Sequence, residues 1–284
     1  MRLLFCSLLM SITGLFAACA QHGISKLTMK WSASNGIRTP ESALYDPTHQ
    51  VIYVSNINGD ATAKDGNGFI SLLDADGHIR QLHWADGLNA PKGLAFYEHS
   101  LYVADIDQLV IIDRNTGKIT QRVDVPGSSF LNDVTVDDHG NVYISDTRQA
   151  KVFQYANGKI HLLLQGENMQ GANGLLYWKG KLWILTHHGI FTCETSGKNL
   201  QLFSDGVKDG DGIWNVNDHD LIVSQWIGKI YMVHANGKAD ELLDTRNEHK
   251  NTADISYAGQ LKLLLVPTFT GNSVDAYSLS HLSQ

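Results

Sequence analysis

A polar residue returns at the same point of a unit of about 40 residues, six times along this chain. The clearest match sets Asn132-Asp133-Val134-Thr135-Val136-Asp137, leading into Asn141-Val142-Tyr143-Ile144-Ser145-Asp146, against Asn173-Gly174-Leu175-Leu176-Tyr177, leading into Lys181-Leu182-Trp183-Ile184-Leu185. The same cadence begins at Glu41, Lys92, Asp211 and Asp254, so successive anchors stand 51, 40, 41, 38 and 43 residues apart. A period in this range belongs to units that are stacked or set around an axis, because one such unit cannot bury its own apolar face.

Each unit reads as short strands separated by turns. In the third, Asp133 to Val136 alternates as a strand, Asp138-His139-Gly140-Asn141 turns, and Val142 to Ser145 and Lys151 to Tyr155 follow as strands. Asn157-Gly158 then makes a hairpin into Ile160 to Leu164, since these dipeptides accept the positive φ of tight turns. Asp76-Gly77, Thr116-Gly117, Ser196-Gly197 and Asn236-Gly237 repeat that turn. Four strands in each of six units predict an all-β, six-bladed β-propeller. A sandwich would not repeat at this period, and a solenoid needs shorter rungs. The last unit stops one strand short, whereas Leu27 to Trp31 precedes the first unit without a partner. Pairing the two closes the last blade with an N-terminal strand and removes an exposed edge.

Residues 1–20 stand apart from this pattern. Arg2, the apolar run Leu3 to Leu15 and the small residues Ala17-Ala18-Cys19-Ala20 have the form of a secretory signal, too short and interrupted for a membrane span. Cleavage after Ala20 leaves a soluble exported protein, periplasmic or extracellular in a bacterium. Cleavage before Cys19 leaves a lipid anchor there, and Phe16-Ala17-Ala18-Cys19 resembles a lipobox. Residues 21–284 are expected to form a single domain. Of three cysteines only Cys193 lies beyond the leader, so no internal disulfide is available. The formal charge of −7 becomes −8 without the leader, and no Lys/Arg cluster occurs, which excludes a nucleic-acid partner. Nothing argues for an oligomer, and a monomer is expected.

In a propeller the first strand of every blade runs beside the central channel, so Glu41, Lys92, Asn132, Asn173, Asp211 and Asp254 face one another around it. Carboxylate and carboxamide oxygens are hard donors that suit calcium, magnesium or manganese better than zinc. A divalent cation would also relieve the repulsion among carboxylates at one mouth. A plainer account remains beside this one. Asn and Asp commonly begin strands, Asn173-Gly174 and Asp211-Gly212 suit turns, and Lys92 and Asp254 suit an ion pair across the channel.

Glu41 with Leu44-Tyr45-Asp46 and Ile52-Tyr53-Val54 resembles the opening of the regucalcin/gluconolactonase family. Asn132-Asp133-Val134 with Asn141-Val142-Tyr143, Asn173-Gly174-Leu175 with Leu182-Trp183, and Asp211-Gly212 extend the resemblance over the chain beyond the leader. It implies a six-bladed propeller with one divalent cation in the channel, calcium foremost and magnesium, manganese or zinc as alternatives. It places the ligands on Glu41, Asn132, Asn173 and Asp211, and the catalytic base on Asp211. The implied reaction is hydrolysis of a lactone or ester, with Lys92 holding a substrate oxygen and Asp254 orienting Lys92. A non-catalytic propeller that binds a protein, glycan or small ligand is the alternative.

Two features depart from that family. Several sugar-lactonase members carry an Arg two positions before the blade-three Asn, where this chain has Phe130 in the substrate-binding position. An apolar ring cannot replace a guanidinium fork, which points to a less polar lactone, another ester or no substrate at all. The polar insertion from Asn58 to Gly68 is expected over the channel mouth. Its Asp60, Asp65 and Asn67 lack EF-hand spacing, so a long turn is favoured over a second calcium site. His187-His188 cannot bind one ion together, because adjacent strand residues point to opposite faces. Asp105 and Asp146 read as blade punctuation, and Ser128-Ser129 lacks a nucleophile elbow. The tryptophans are expected between blades, with Trp214 and Trp226 as candidates for the mouth.

Overall fold

The computed structural model describes residues 24–282, so the expected export segment and Cys19 lie outside the described residues. Twenty-four strands, numbered in chain order, form six four-stranded antiparallel sheets. Blade one is β2–β5, from Pro40–Asp46 to Ile79–Leu88, and blade two is β6–β9, from Pro91–Tyr97 to Ile119–Asp124. Blade three is β10–β13, from Leu131–Val136 to Lys159–Gln165. Blade four is β14–β17, from Leu175–Trp178 to Gln201–Ser204, and blade five is β18–β21, from Gly210–Asn215 to Ala239–Asp244. Blade six joins β22 (Ser256–Ala258), β23 (Leu263–Pro267) and β24 (Val274–Leu282) to β1 (Ile24–Ala33). The six-bladed β-propeller and its closure by the N-terminal strand are therefore as the repeat predicts.

Burial follows position in the blade. β3 is buried at every residue, whereas the outermost β9 has no buried residue and is mostly exposed. Apolar residues of the inner strands meet those of the next blade, giving one cluster at each of six junctions. Leu44, Tyr53 and Ile70 of blade one pack on Leu94, Val103 and Val110 of blade two, and Ile52 and Val54 close on Leu265 and Ala276 of blade six. Interiors built this way stay close-packed without any cross-link. Cys193 belongs to one such junction, where burial pushes its thiol up to about 11. Among the described residues no helix is long and apolar enough to cross a membrane.

The closing strand is longer than the sequence suggests. β1 pairs with β24 from Ile24↔Leu282 to Ala33↔Val274, with a bulge between Met29 and Trp31. Trp31 then lies against Gly77 of blade one, where an added Cβ would sit 2.5 Å from the ring, and donates its indole N–H to Ala75 O at 3.0 Å.

Candidate functional site at the channel mouth

The innermost strands carry a shared irregularity. In blades one, two, three and five the ladder between first and second strand shifts register between Pro40 and Ala43, Pro91 and Leu94, Leu131 and Val134, and Gly210 and Ile213. Glu41, Lys92, Asn132 and Asp211 each sit in that bulge, which re-aims a side chain away from the pleat. The bulge frees the N–H of the following residue, and a serine on the second strand takes it up in three blades. Ser42 N donates to Ser55 Oγ (2.9 Å), Asp133 N to Ser145 Oγ (2.9 Å) and Gly212 N to Ser224 Oγ (2.8 Å). These serines were missed in the sequence, although Val54-Ser55-Asn56, Ile144-Ser145-Asp146 and Val223-Ser224-Gln225 repeat in phase with the anchors.

The glycines after the anchors are not turn residues. Gly93, Gly174 and Gly212 lack positive φ, and each lets the next blade approach. An added Cβ would lie 2.2 Å from Asp133 Oδ1 at Gly93, 2.3 Å from Asp211 O at Gly174 and 2.2 Å from Ile255 N at Gly212. The turn account of Asn173-Gly174 and Asp211-Gly212 gives way to close packing around the axis.

Glu41, Lys92, Phe130, Asn132, Asn173 and Asp211 line one cavity of about 280 Å³, together with Ile57, Ala61, Trp226 and Phe269. Glu41 (5% exposed), Lys92 (2%), Asn132 (6%) and Asp211 (3%) are buried. Asn173 Nδ2 donates to Asp211 Oδ1 at 2.6 Å, and Asn132 Nδ2 donates to Thr147 Oγ1 at 2.9 Å. Each amide therefore spends an N–H on protein. Asn132 Oδ1, Asn173 Oδ1 and Glu41 Oε2 are buried without a hydrogen-bond partner, three of six such side-chain atoms among the described residues. Each unsatisfied buried oxygen costs about 1–3 kcal/mol. Three around one cavity, beside the Asp211 carboxylate, form a hard, oxygen-only donor set that fits a divalent cation.

The charges agree with that chemistry. Burial, followed by the nearby Asp211 and Asp254 carboxylates, raises Glu41 well above the carboxylate range. Burial pushes Asp211 up to about 7 against the hydrogen bond from Asn173. It brings Lys92 down to about 8, against the pull of Glu41. Lys92 Nζ donates to Ala61 O and Ala90 O (both 3.1 Å), so backbone carbonyls rather than Asp254 fix its position. Carboxylates held this way favour a positive charge beside them, and Lys92 supplies part of it to Glu41.

Asp254 is placed elsewhere. It bridges in parallel to Ser42, one residue past Glu41, and its N–H donates to Glu41 O at 2.9 Å. A one-residue offset turns a strand side chain to the other side. Asp254 accordingly lines a second cavity of about 200 Å³ further along the same strands, with Asp133, Ser42 and Trp214. Burial pushes it up to about 7, countered by a Ser42 hydrogen bond and reinforced by Asp211.

The insertion does reach the mouth. Ala61 packs with Phe269 against Ile57, Ala90 and Ile106, and Lys64 ties the loop to Asp107 at 2.5 Å. Asp60 is taken by Thr62, and Asp65 by Asn67, so these side chains serve the loop's own turns. Of the two candidate tryptophans, Trp226 borders this cavity and Trp214 the other. His187 turns to Asp209 and His188 to Glu167 O. Asp105 receives the N–H groups of Asn89 and Ala90, and Asp146 those of Ser129, Phe130 and Gln149, as punctuation requires. Asp74, Asp76 and His78 cluster on an exposed hairpin where Asp74 Oδ1 accepts the N–H groups of Asp76 and His78.

Neither a family model nor a curated protein matches the chain. Solved structures do. The chain is similar to streptogramin B lyase at 14% identity and a TM-score of 0.65, with 90% of this chain and 98% of the lyase covered. A protein of unknown function from Bacteroides thetaiotaomicron aligns at 11% identity and a TM-score of 0.66, over 90% of this chain and 76% of that one. A chain of the nidogen/laminin complex aligns at 17% identity and a TM-score of 0.64, over 78% and 85%. Identities this low establish a shared propeller fold. Activity must be argued from the site.

Proposed function

We propose that the protein is a divalent-cation-dependent hydrolase of lactones or related esters, of the regucalcin/gluconolactonase kind. The observation that supports this most is the set of partnerless buried oxygens on Glu41, Asn132 and Asn173 beside Asp211. Those four residues would hold one cation, with calcium foremost. When bound, such a cation supplies Lewis acidity toward a carbonyl oxygen. The chain's own groups do the rest. Asn173 fixes Asp211 through Oδ1 and leaves Oδ2 to take a proton from water as its oxygen bonds to the carbonyl carbon. The ring C–O bond then breaks, the proton passes to the leaving alkoxide, and a hydroxy acid results. Lys92, held by two carbonyls, presents its remaining donor capacity to a substrate oxygen. Ile57, Ala61 and Phe269 give the cavity an apolar side. The protein would act after export, as residues 1–20 suggest.

Elemental analysis and calcium calorimetry on wild type and Asp211→Ala test the cation site, and a lactone panel tests turnover. One bound divalent ion per chain, lost in the variant, supports the proposal. Asp211→Asn and Glu41→Gln are expected to reduce turnover at least a hundredfold with the fold intact; full activity in both would refute the assigned roles. Because streptogramin B lyase is a structural neighbour, cleavage by elimination is the variant to separate. Hydrolysis in oxygen-18 water labels the product carboxylate, whereas elimination does not. The non-catalytic alternative draws on the rim, where Trp226 and Ile227 are 47% and 52% exposed. A protein with neither metal nor turnover would favour it.

A further inference from the structure

Phe130 occupies a position from which an apolar pocket wall would be expected, yet its ring is used as a platform for charge. Lys92 Nζ lies 4.5 Å from the ring centroid and the Arg148 guanidinium carbon 4.6 Å. Contacts of this length draw on the electron-rich face of the ring. A guanidinium that stacks through its flat face keeps its N–H edge available for a planar, two-oxygen acceptor. No acid pairs with Arg148 among the described residues. Asp60, close enough for its charge to respond to Arg148 and Lys92, accepts from Thr62 N (2.7 Å) and Thr62 Oγ1 (2.5 Å) within its own turn.

The stack is held in place from below. The buried Asp146 carboxylate accepts Ser129 N at 2.6 Å and Phe130 N at 3.2 Å through Oδ2, and Gln149 N at 2.8 Å through Oδ1. Thr147 N donates to Phe130 O at 3.1 Å, and Thr147 Oγ1 accepts Asn132 Nδ2. One short segment, 146–149, thus carries Arg148 and holds both Phe130 and a residue of the proposed cation site. Two cationic side chains thereby share the one ring at the mouth, within reach of a single anion. The apolar side of the mouth comes from other blades. Trp226 follows β19 in blade five and Phe269 follows β23 in blade six, and their rings meet edge-on at 5.7 Å.

We propose that Arg148, stacked on Phe130, selects substrates that carry a carboxylate apart from the reacting carbonyl, with an apolar body lying against Trp226 and Phe269. This inference rests on the reading of the cavity as a hydrolytic site and names its substrate class: amphiphilic, anionic lactones or esters rather than neutral sugar lactones.

Phenylparaconic acid, a γ-lactone bearing a phenyl group and a carboxylate, and its primary amide make the test pair. Ring opening is measured with wild type, Arg148→Gln and Arg148→Lys. Wild type is expected to prefer the acid by about tenfold or more in kcat/KM. Arg148→Gln is expected to bring that ratio to about one through KM for the acid, with Arg148→Lys in between. Equal use of acid and amide by wild type overturns the inference and leaves the hydrolase proposal standing. If neither lactone is opened, calorimetry with phenylsuccinate decides. Binding that Arg148→Gln abolishes upholds anion recognition while removing hydrolysis, and absence of binding overturns the inference.

Discussion

At the scale of single residues, the candidate site depends on which atoms are already spent. Asn132 and Asn173 offer oxygen to the cavity because Thr147 and Asp211 each hold the amide by an N–H. Thr147 is therefore a positioning residue, and its hydroxyl in turn donates to Ala172 O at 2.8 Å. Thr147→Val keeps the shape and removes the acceptor, so Asn132 loses the partner that orients it. We expect cation affinity to fall by about 10–100-fold, as for other groups that hold metal ligands in place, at a stability cost of about 1 kcal/mol. Calcium calorimetry and thermal melts measure the two separately. Unchanged affinity would remove Asn132 from the ligand set. Phe130 teaches a related lesson. Read by type it is an apolar replacement for a guanidinium, but in the fold it carries one supplied from residue 148.

At the scale of elements, the bulge at the start of the innermost strand does the aiming. A regular strand beginning at Asp211 would pair its N–H and C=O along β19; instead the ladder skips from Gly210 to Ile213 and Ser224 takes the free Gly212 N–H. The absence of a side chain at Gly212 then lets β18 lie against the segment before β22, with Ile255 N 2.2 Å from where a Cβ would be. Gly212→Ala must push that segment away, and overpacking of this kind costs about 1–3 kcal/mol. The clash parts that segment from the backbone carrying Asp211, so turnover should fall along with the melting temperature. The same exchange at Gly158, a hairpin glycine with nothing near its Cβ position, meets only the backbone strain of its φ of +75°. A Gly158→Ala protein that loses activity as fully as Gly212→Ala would contradict the close-approach argument.

At the scale of the whole molecule, six blades converge their first strands on one axis and bury there Glu41, Asp133, Asp211 and Asp254, all raised by burial first. Asp211 and Asp254 move from 3.8 to about 7, so the native state binds protons that the unfolded chain has released. Their stabilising contribution is complete below about pH 4 and is lost as pH rises through about 7. The metal-free protein is expected to melt at a lower temperature at pH 8 than at pH 5. The drop should shrink in Asp254→Asn, and calcium should raise the melting temperature more at pH 8. A bound ion present at about a hundred times its Kd adds about 2.7 kcal/mol. Melting curves that are flat over this range, or fall equally in Asp254→Asn, would sink the account of the axis.

The sequence by itself determined the blade count, the strand order and the closing strand, because alternation and turn dipeptides act over a few residues and repeat with the unit. It also determined which residue types reach the mouth: Glu41, Lys92, Asn132, Asn173 and Asp211 all line one cavity. Only the tertiary structure decided where blade six stands in register, and that single-residue offset carries Asp254 to the second cavity. It alone decided that Lys92 is held by Ala61 and Ala90, and that Arg148 meets the Phe130 ring. The physical reason is the same in each case. Period and propensity are properties of a chain segment, whereas register between blades and the partner of a buried polar atom are set when separate segments compete for the same space.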